Sequence, residues 1–183
     1  MTDFFLFFLI YSFLGFLLEV LFTRLTHGSK RDRKCMFLLP LCPVYGLGAL
    51  LILLLPPWVQ NRVIPLFLAG AAAATGAEYF MDWFYERALG VRFWNYSALP
   101  WNIHGRVCLL FSLFWGFLAL GLVRWVHPAV AQLAWEVPSG WVFALFLLFL
   151  ADGVFTAVLL RSTGDTSSLR WYDRFLTKER GRA

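Results

Sequence analysis

Charge is what this sequence has least of. Only 15% of its 183 residues are Asp, Glu, Lys or Arg, against about a quarter in a soluble globular domain. With 60% of residues hydrophobic, too few polar groups remain to coat a water-soluble fold. The same apolar content excludes a disordered chain. Cysteine is scarce as well: Cys35, Cys42 and Cys108 form no Cys-x-x-Cys spacing, and the three histidines are scattered. The thiols therefore read as structural or incidental, and no metal and no cofactor is expected. A basic leader is missing too. Asp3 is the sole charge ahead of the first apolar run and no small-x-small cleavage site follows Phe22, so the segment reads as a retained spanning helix, not a signal peptide. Nor is there a Gly-rich phosphate-binding loop with its Lys, so the chain does not power ATP-driven transport alone.

What is present is a series of long apolar runs, near 4–23, 37–55, 63–85, 107–126 and 141–160. Each approaches the ~20 residues that cross a hydrocarbon core. The reading is an all-α, polytopic integral membrane helix bundle of about five transmembrane helices, a single membrane domain over 1–183. The stretch 86–106 is aromatic-rich but too interrupted to span. The formal charge of +5 does not imply nucleic acid, because the basic residues flank the apolar runs. Fourteen of the sixteen Lys and Arg fall in the first loop, the third loop and the tail, leaving Arg62 and Arg124 for the other side. The positive-inside rule then gives N-outside and C-inside, with an aromatic cytoplasmic loop between spans three and four. The expected location is a bacterial cytoplasmic (inner) membrane. In the tail, 161–183, Ser167 or Ser168 is placed to cap a short interfacial helix. Its Trp171, Tyr172, Phe175 and Leu176 share a face among Arg170, Arg174, Lys178 and Arg180, as in helices that lie on anionic lipid.

Small and polar residues mark the faces that meet other helices in lipid. Ser12, Gly15, Glu19 and Thr23 form one stripe on the first span, and Cys108, Ser112 and Ala119 another on the fourth. Ala74, Glu78, Asp82 and Glu86 follow one i, i+4 line along the third. An ionised carboxylate at depth costs about 2.5–3.5 kcal/mol on insertion scales, so Glu19, Glu78 and Asp152 must be paired, protonated or facing water. Pro40 to Gly48 holds two prolines and two glycines, which predicts a kinked or non-helical entry that is covered by protein or lines a cavity, or else a plain proline kink. With the orientation above, most of these groups share the cytoplasmic half of the bundle, with Asp152 deeper. The candidate substrate-binding or buried polar network is Glu19, Cys42, Tyr45, Glu78, Asp82, Trp94, Tyr96, Asn102, Arg106 and Asp152. Trp94, Tyr96 and Trp101 read singly as an aromatic belt. Asn102, Gly105 and Arg106 at a helix start suit an anion such as a lipid phosphate, while the competing and favoured use of Arg106 is to neutralise Glu19 or Glu78.

Several of these residues stand in a recognisable order. Tyr11-Ser12-Phe13-Leu14-Gly15 with Glu19 is followed by Leu41-Cys42-Pro43-Val44-Tyr45-Gly46. Then come Glu78-Tyr79, Trp94-Asn95-Tyr96-Ser97 and Asn102-Ile103-His104-Gly105-Arg106-Val107-Cys108-Leu109. The combination, over roughly 8–120, resembles the CmpB-type family of ABC-transporter type IV permeases. The chain departs from that pattern at Leu39-Pro40, where the family commonly has Gly-Pro, and at Asn95, where it commonly has an acid. The resemblance implies a permease-like subunit working with a separate ATPase, and so few spans suggest a homodimer or hetero-oligomer surrounded by membrane lipids. Two other readings stand beside it. One is a membrane-embedded enzyme or binder for a lipid or lipid-linked substrate, with Ser97, Cys42 or Cys108 as nucleophile and His104 the nearby base. The other is a structural membrane protein whose buried charges fix helix packing.

Overall fold

The computed structural model describes residues 2–26 and 34–170. Helix α1 (Thr2–Leu25) is followed by the shorter α2 (Pro43–Leu53) and a single turn, α3 (Pro57–Gln60). Helix α4 (Val63–Phe84) continues through a π-helical turn, Tyr85–Leu89. A two-stranded antiparallel hairpin, β1 (Asn102–Ile103) and β2 (Val107–Cys108), leads into α5 (Leu109–Gly121). A second π-helical turn, Leu122–Val126, joins α5 to α6 (His127–Trp135), and α7 (Ser139–Thr163) ends the bundle. Four continuous helical segments are long and apolar enough to cross a membrane: Asp3–Leu25, Val63–Leu89, Leu109–Ala134 and Ser139–Thr163. At 1.5 Å per residue each exceeds the ~30 Å hydrocarbon core.

Their surfaces are those of helices in lipid. On α7 the buried positions are Val142, Asp152, Thr156 and Leu160, while Phe143, Leu150, Val154 and Phe155 face outward and are exposed. So wide an apolar exterior is incompatible with water. The chain is an integral membrane protein.

The second apolar run differs most from its sequence reading of 37–55. Only Pro43–Leu53 is helical, about 16 Å of rise at the α-helical repeat. Pro43 occupies the first turn of α2, where its missing N–H breaks no bond, and Cys42 before it is extended. Pro56 and Pro57 stop the helix at the other end. The non-helical backbone before α2 is satisfied by its neighbours. The Asp152 carboxylate of α7 accepts from the amides of Leu38 (2.9 and 3.1 Å) and Leu39 (2.7 Å). Thr156 Oγ1 accepts from Phe37 N at 2.9 Å, and the Ser12 carbonyl of α1 accepts from Cys42 N at 2.9 Å. Irregular backbone at this depth needs every such partner.

The fourth run also differs, because it does not end at 126. The π-helical turn carries it on into α6, and Pro128 falls in the first turn after that turn, where it costs little. Beyond α7 the chain makes a short 3₁₀ turn, Thr166–Leu169, capped by Asp165, whose side chain accepts from Ser167 N at 2.8 Å. Ser167 and Ser168, read from the sequence as caps of the tail helix, both lie inside this turn. The amphipathic helix expected around Trp171, Tyr172, Phe175, Leu176, Arg174, Lys178 and Arg180 lies outside the described residues.

Helices α1, α2, α4 and α5 pack through small residues. A Cβ on Gly15 would lie 2.1 Å from Tyr45 Cγ, and one on Gly46 would lie 2.3 Å from Ser12 Oγ and 2.5 Å from the Phe8 carbonyl. Gly70 likewise admits Ala119, and Gly116 admits Phe67. Close backbone approach of this kind supplies the dispersion contacts that hold helices together where lipid removes any hydrophobic drive.

Candidate functional site

The C-terminal end of α1, the start of α2, the last turns of α4 and the start of α5 enclose a cavity of about 340 Å³. Its lining is aromatic: Phe22, Tyr45, Phe93, Trp94, Tyr96, Phe111, Phe114, Trp115 and Phe117. Two carboxylates, Glu19 and Glu78, and two thiols, Cys35 and Cys42, face it as well.

Among the described residues, three neutral donors reach these carboxylates. Tyr45 hydroxyl donates to Glu19 Oε1 at 2.9 Å. Tyr96 hydroxyl donates to Glu78 Oε1 at 2.8 Å, and Trp115 Nε1 donates to Glu78 Oε2 at 3.0 Å. Glu78 is 5% exposed, so these bonds work in a low dielectric, where a hydrogen bond to a charged group is worth about 1.5–3 kcal/mol. The two sulfurs Cys35 Sγ and Cys42 Sγ lie 3.4 Å apart in the same wall.

One turn along α4 from Glu78 stands a separate ion cluster. Asp82, fully buried, lies 3.0 Å from Arg92 Nη2, and it accepts from Arg92 Nε at 3.1 Å and from Arg106 Nη1 at 2.5 Å. Arg106 Nη2 pairs with Glu86, and its guanidinium carbon sits 5.6 Å from the centre of the Tyr79 ring. Glu86 first, then Asp82, holds the Arg106 guanidinium above its ordinary value against the effect of burial, so it is cationic at any biological pH. The expectation that Arg106 neutralises Glu19 or Glu78 is thus corrected: its partners are the two carboxylates further along the same helix. The i, i+4 spacing of Asp82 and Glu86 sets them one above the other, and the planar fork of arginine spans both.

The loop between α4 and α5 is a positioning device. The expected helix start at Asn102–Arg106 is a hairpin turn instead, and α5 begins only at Leu109. Arg106 N bonds the Ile103 carbonyl at 3.0 Å, and the two residues between, His104 (φ 54°) and Gly105 (φ 67°), both have positive φ, the signature of a mirror-image turn. A Cβ at Gly105 would lie 2.4 Å from Ser97 Oγ. Asn102 fastens the turn: its Oδ1 accepts from Gly105 N (3.0 Å) and its Nδ2 donates to the Leu99 carbonyl (2.8 Å). Gly105 O then accepts from Tyr96 N at 2.8 Å, and Arg106 O accepts from Trp94 Nε1 at 2.9 Å. The hairpin thereby sets Tyr96 and Trp94 in the cavity wall and turns Arg106 toward Asp82.

Of the ten residues singled out in the sequence, Glu19, Cys42, Tyr45, Glu78, Trp94 and Tyr96 line the cavity. Asp82 and Arg106 form the adjoining ion cluster, Asn102 builds the hairpin, and Asp152 braces the segment before α2. Trp115, Phe111 and Arg92 were missed as site residues. Trp115 was findable, since it falls on the Cys108, Ser112, Ala119 stripe at i+7 from Cys108. Of the nucleophile candidates, Cys42 faces the cavity, while Ser97 Oγ donates to Asn95 Oδ1 at 2.7 Å; the base candidate His104 shares a hydrogen bond through Nδ1 with the Tyr79 hydroxyl at 3.0 Å. Among the described residues no group of three or more His, Cys, Asp or Glu is placed to hold a metal.

No curated protein and no solved structure matches the chain. Residues 6–157, which take in most of α1, all of α2 to α6, the cavity, the ion cluster and most of α7, match the family model described as "Putative ABC-transporter type IV", the CmpB-type family, and the chain belongs to that family.

Proposed function

We propose that this chain is the permease-like membrane component of a transport system, and that the cavity between α1, α2, α4 and α5 holds its cargo. The observation that carries the reading is a partly open cavity of about 340 Å³ with two carboxylates in its wall, within a bundle of the ABC-transporter type IV family. That volume is at the lower end of small-molecule sites. Energy must come from elsewhere, and a separate ATPase docking on the loops beside the ion cluster fits the lack of a phosphate-binding loop.

The proposed topology has five crossings, N-outside and C-inside. Charge bias supports it, as fourteen of sixteen Lys and Arg fall on one side. The two exceptions also share an end: Arg124 Nη2 donates to the carbonyl of Asn61, the neighbour of Arg62, at 3.3 Å. The cavity and the Asp82 cluster then lie toward the cytoplasm of a bacterial inner membrane. In this reading α2 and the extended segment before it make a broken second crossing, with α7 covering the break.

The test is purification of the full chain from its own membranes in mild detergent. An ATP-hydrolysing subunit that co-migrates with it through two chromatographic steps is the expected result. Migration alone, or only with further copies of itself, overturns the assignment to an ABC system.

A further inference from the structure

We infer that the cavity opens sideways into the bilayer between α1 and α5, and that its ligand is a single-chain amphiphile drawn from the surrounding leaflet. The inference rests on the transport reading above and names the cargo class of the same site.

The opening follows from the packing order. Helix α1 packs on α2, α2 on α4 and α4 on α5, so α1 and α5 are the two flanks of the group that encloses the cavity. Among the described lining residues, the exposed ones are Leu18 and Phe22 on α1 and Phe114, Phe117 and Leu118 on α5. All five are apolar and both helices belong to spanning segments, so the medium at this mouth is hydrocarbon. At the end nearer the Asp82 cluster, the Phe22 and Phe111 rings meet edge to face at 6.0 Å between centres and bridge the flanks. From there the mouth runs along α5 to Leu118, nine residues from the helix start, about 14 Å at the α-helical rise. It therefore keeps within one leaflet of a ~30 Å core.

Polarity changes from mouth to floor. The lining from α2, α4 and the loop before α5 is buried or half-buried and includes Tyr45, Glu78 and Tyr96, and Glu19 of α1 joins it through its bond with Tyr45. A polar solute from water would have to shed its hydration to pass five apolar side chains. A plain hydrocarbon gains nothing from the hydroxyls and carboxylates at the far end. An amphiphile matches both parts. Its head hydrogen-bonds at the floor, one helical turn from the ion cluster, while its chain lies against Phe22, Phe111 and Phe114 and leaves through the mouth. A cavity of about 340 Å³ is at the small end of ligand sites, which favours one chain over two.

The test reconstitutes the full chain in phosphatidylcholine nanodiscs doped with a monoacylglycerol that carries a photoreactive diazirine beside its ester. Irradiation and peptide mapping should place adducts on the floor, at Tyr45, Glu78 or Tyr96. Excess monoolein should reduce them at least fivefold, whereas glycerol in the buffer and hexadecane in the bilayer should not. Leu18→Trp combined with Leu118→Trp narrows the mouth, and floor adducts should then fall at least fivefold with labelling of Phe143 and Val154 on α7 unchanged. An unlabelled floor beside labelled Phe143 and Val154 overturns the proposal, whether water or a second copy of the chain fills the mouth. Equal competition by hexadecane or by glycerol overturns it too, as does full floor labelling in the double variant. Mapping and competition on the unmodified chain decide by themselves where that variant does not fold. The two readings fail separately. Floor adducts without an ATPase partner sink the transport assignment alone, and an ATPase partner with an unlabelled floor sinks the lipid site alone.

Discussion

The indole of Trp115 on α5 donates to Glu78 on α4 across 3.0 Å, while Tyr96 from the intervening loop holds the other oxygen of the same carboxylate at 2.8 Å. Three segments far apart in sequence thus meet on one buried acid. Trp115→Phe keeps the ring and removes the donor. It should lower stability in detergent by about 0.5–2 kcal/mol, between the average measured for interhelical bonds in membranes and that for bonds to charged groups. Thermal unfolding followed by near-ultraviolet dichroism reads the change. No loss would mean that Glu78 does not depend on this bond.

The Asp82 cluster makes a sharper case. Asp82→Ala would leave Arg92 and Arg106 facing each other around a vacated buried position, and breaking one partner of a buried pair costs about 3–5 kcal/mol. The lower end applies, because the Arg92 side chain is 28% exposed and Arg106 is 13% exposed. Arg106→Lys should recover little of the stability lost in Arg106→Ala, since one ammonium cannot reach Asp82 and Glu86 through two separate donors as the guanidinium does. Full rescue by lysine, measured as the midpoint of thermal unfolding, contradicts the two-pronged geometry.

Much of the architecture was legible from hydropathy alone, and the reason is physical. Lipid demands long apolar segments with internal hydrogen bonding, so the runs that became α1, α4, α5 and α7 stand out by length. The helical extent of the second run was not legible, because apolar residues suit extended and helical backbone alike once a neighbour satisfies the amides. Nothing near Leu38 announces that its partner is Asp152, more than a hundred residues away. The convergence of Glu19, Tyr45, Glu78 and Tyr96 followed from span order and stripe positions. The fate of Arg106 did not, since Asp82 and Glu86 could equally have been solvated at a helix end. Choosing between them required the hairpin turn, whose positive φ at His104 no side-chain pattern reveals.

Asp152 yields a prediction that separates bracing from binding. Its carboxylate accepts from Leu38 and Leu39, so Asp152→Ala should free the segment carrying Cys35 and Cys42, which are 4% and 2% exposed. In a Cys108→Ser background, maleimide labelling of these two thiols should rise at least fivefold over the Asp152 form. Asp152→Asn, which keeps one acceptor oxygen, should fall between them. Unchanged labelling in the alanine variant would show that Thr156 and Ser12 suffice to hold the segment.

The same thiols supply the last test. Cys35 Sγ and Cys42 Sγ stand 3.4 Å apart, whereas a disulfide needs about 2.05 Å, so closing by little more than 1 Å joins them. Cys35 lies in the non-helical stretch before α2, where backbone can yield more readily than within a packed helix. An azo oxidant such as diamide would take the two electrons and two protons that the pair releases, becoming a hydrazine as the S–S bond forms. Peptide mapping should then find Cys35 joined to Cys42, lighter by two hydrogens, with Cys108 still a thiol. Both sulfurs face the cavity, so the cross-link draws one wall together, and reduction should restore both thiols. A bond from Cys42 to Cys108, or no cross-link between Cys35 and Cys42, would show that the two sulfurs are not held as neighbours in this wall.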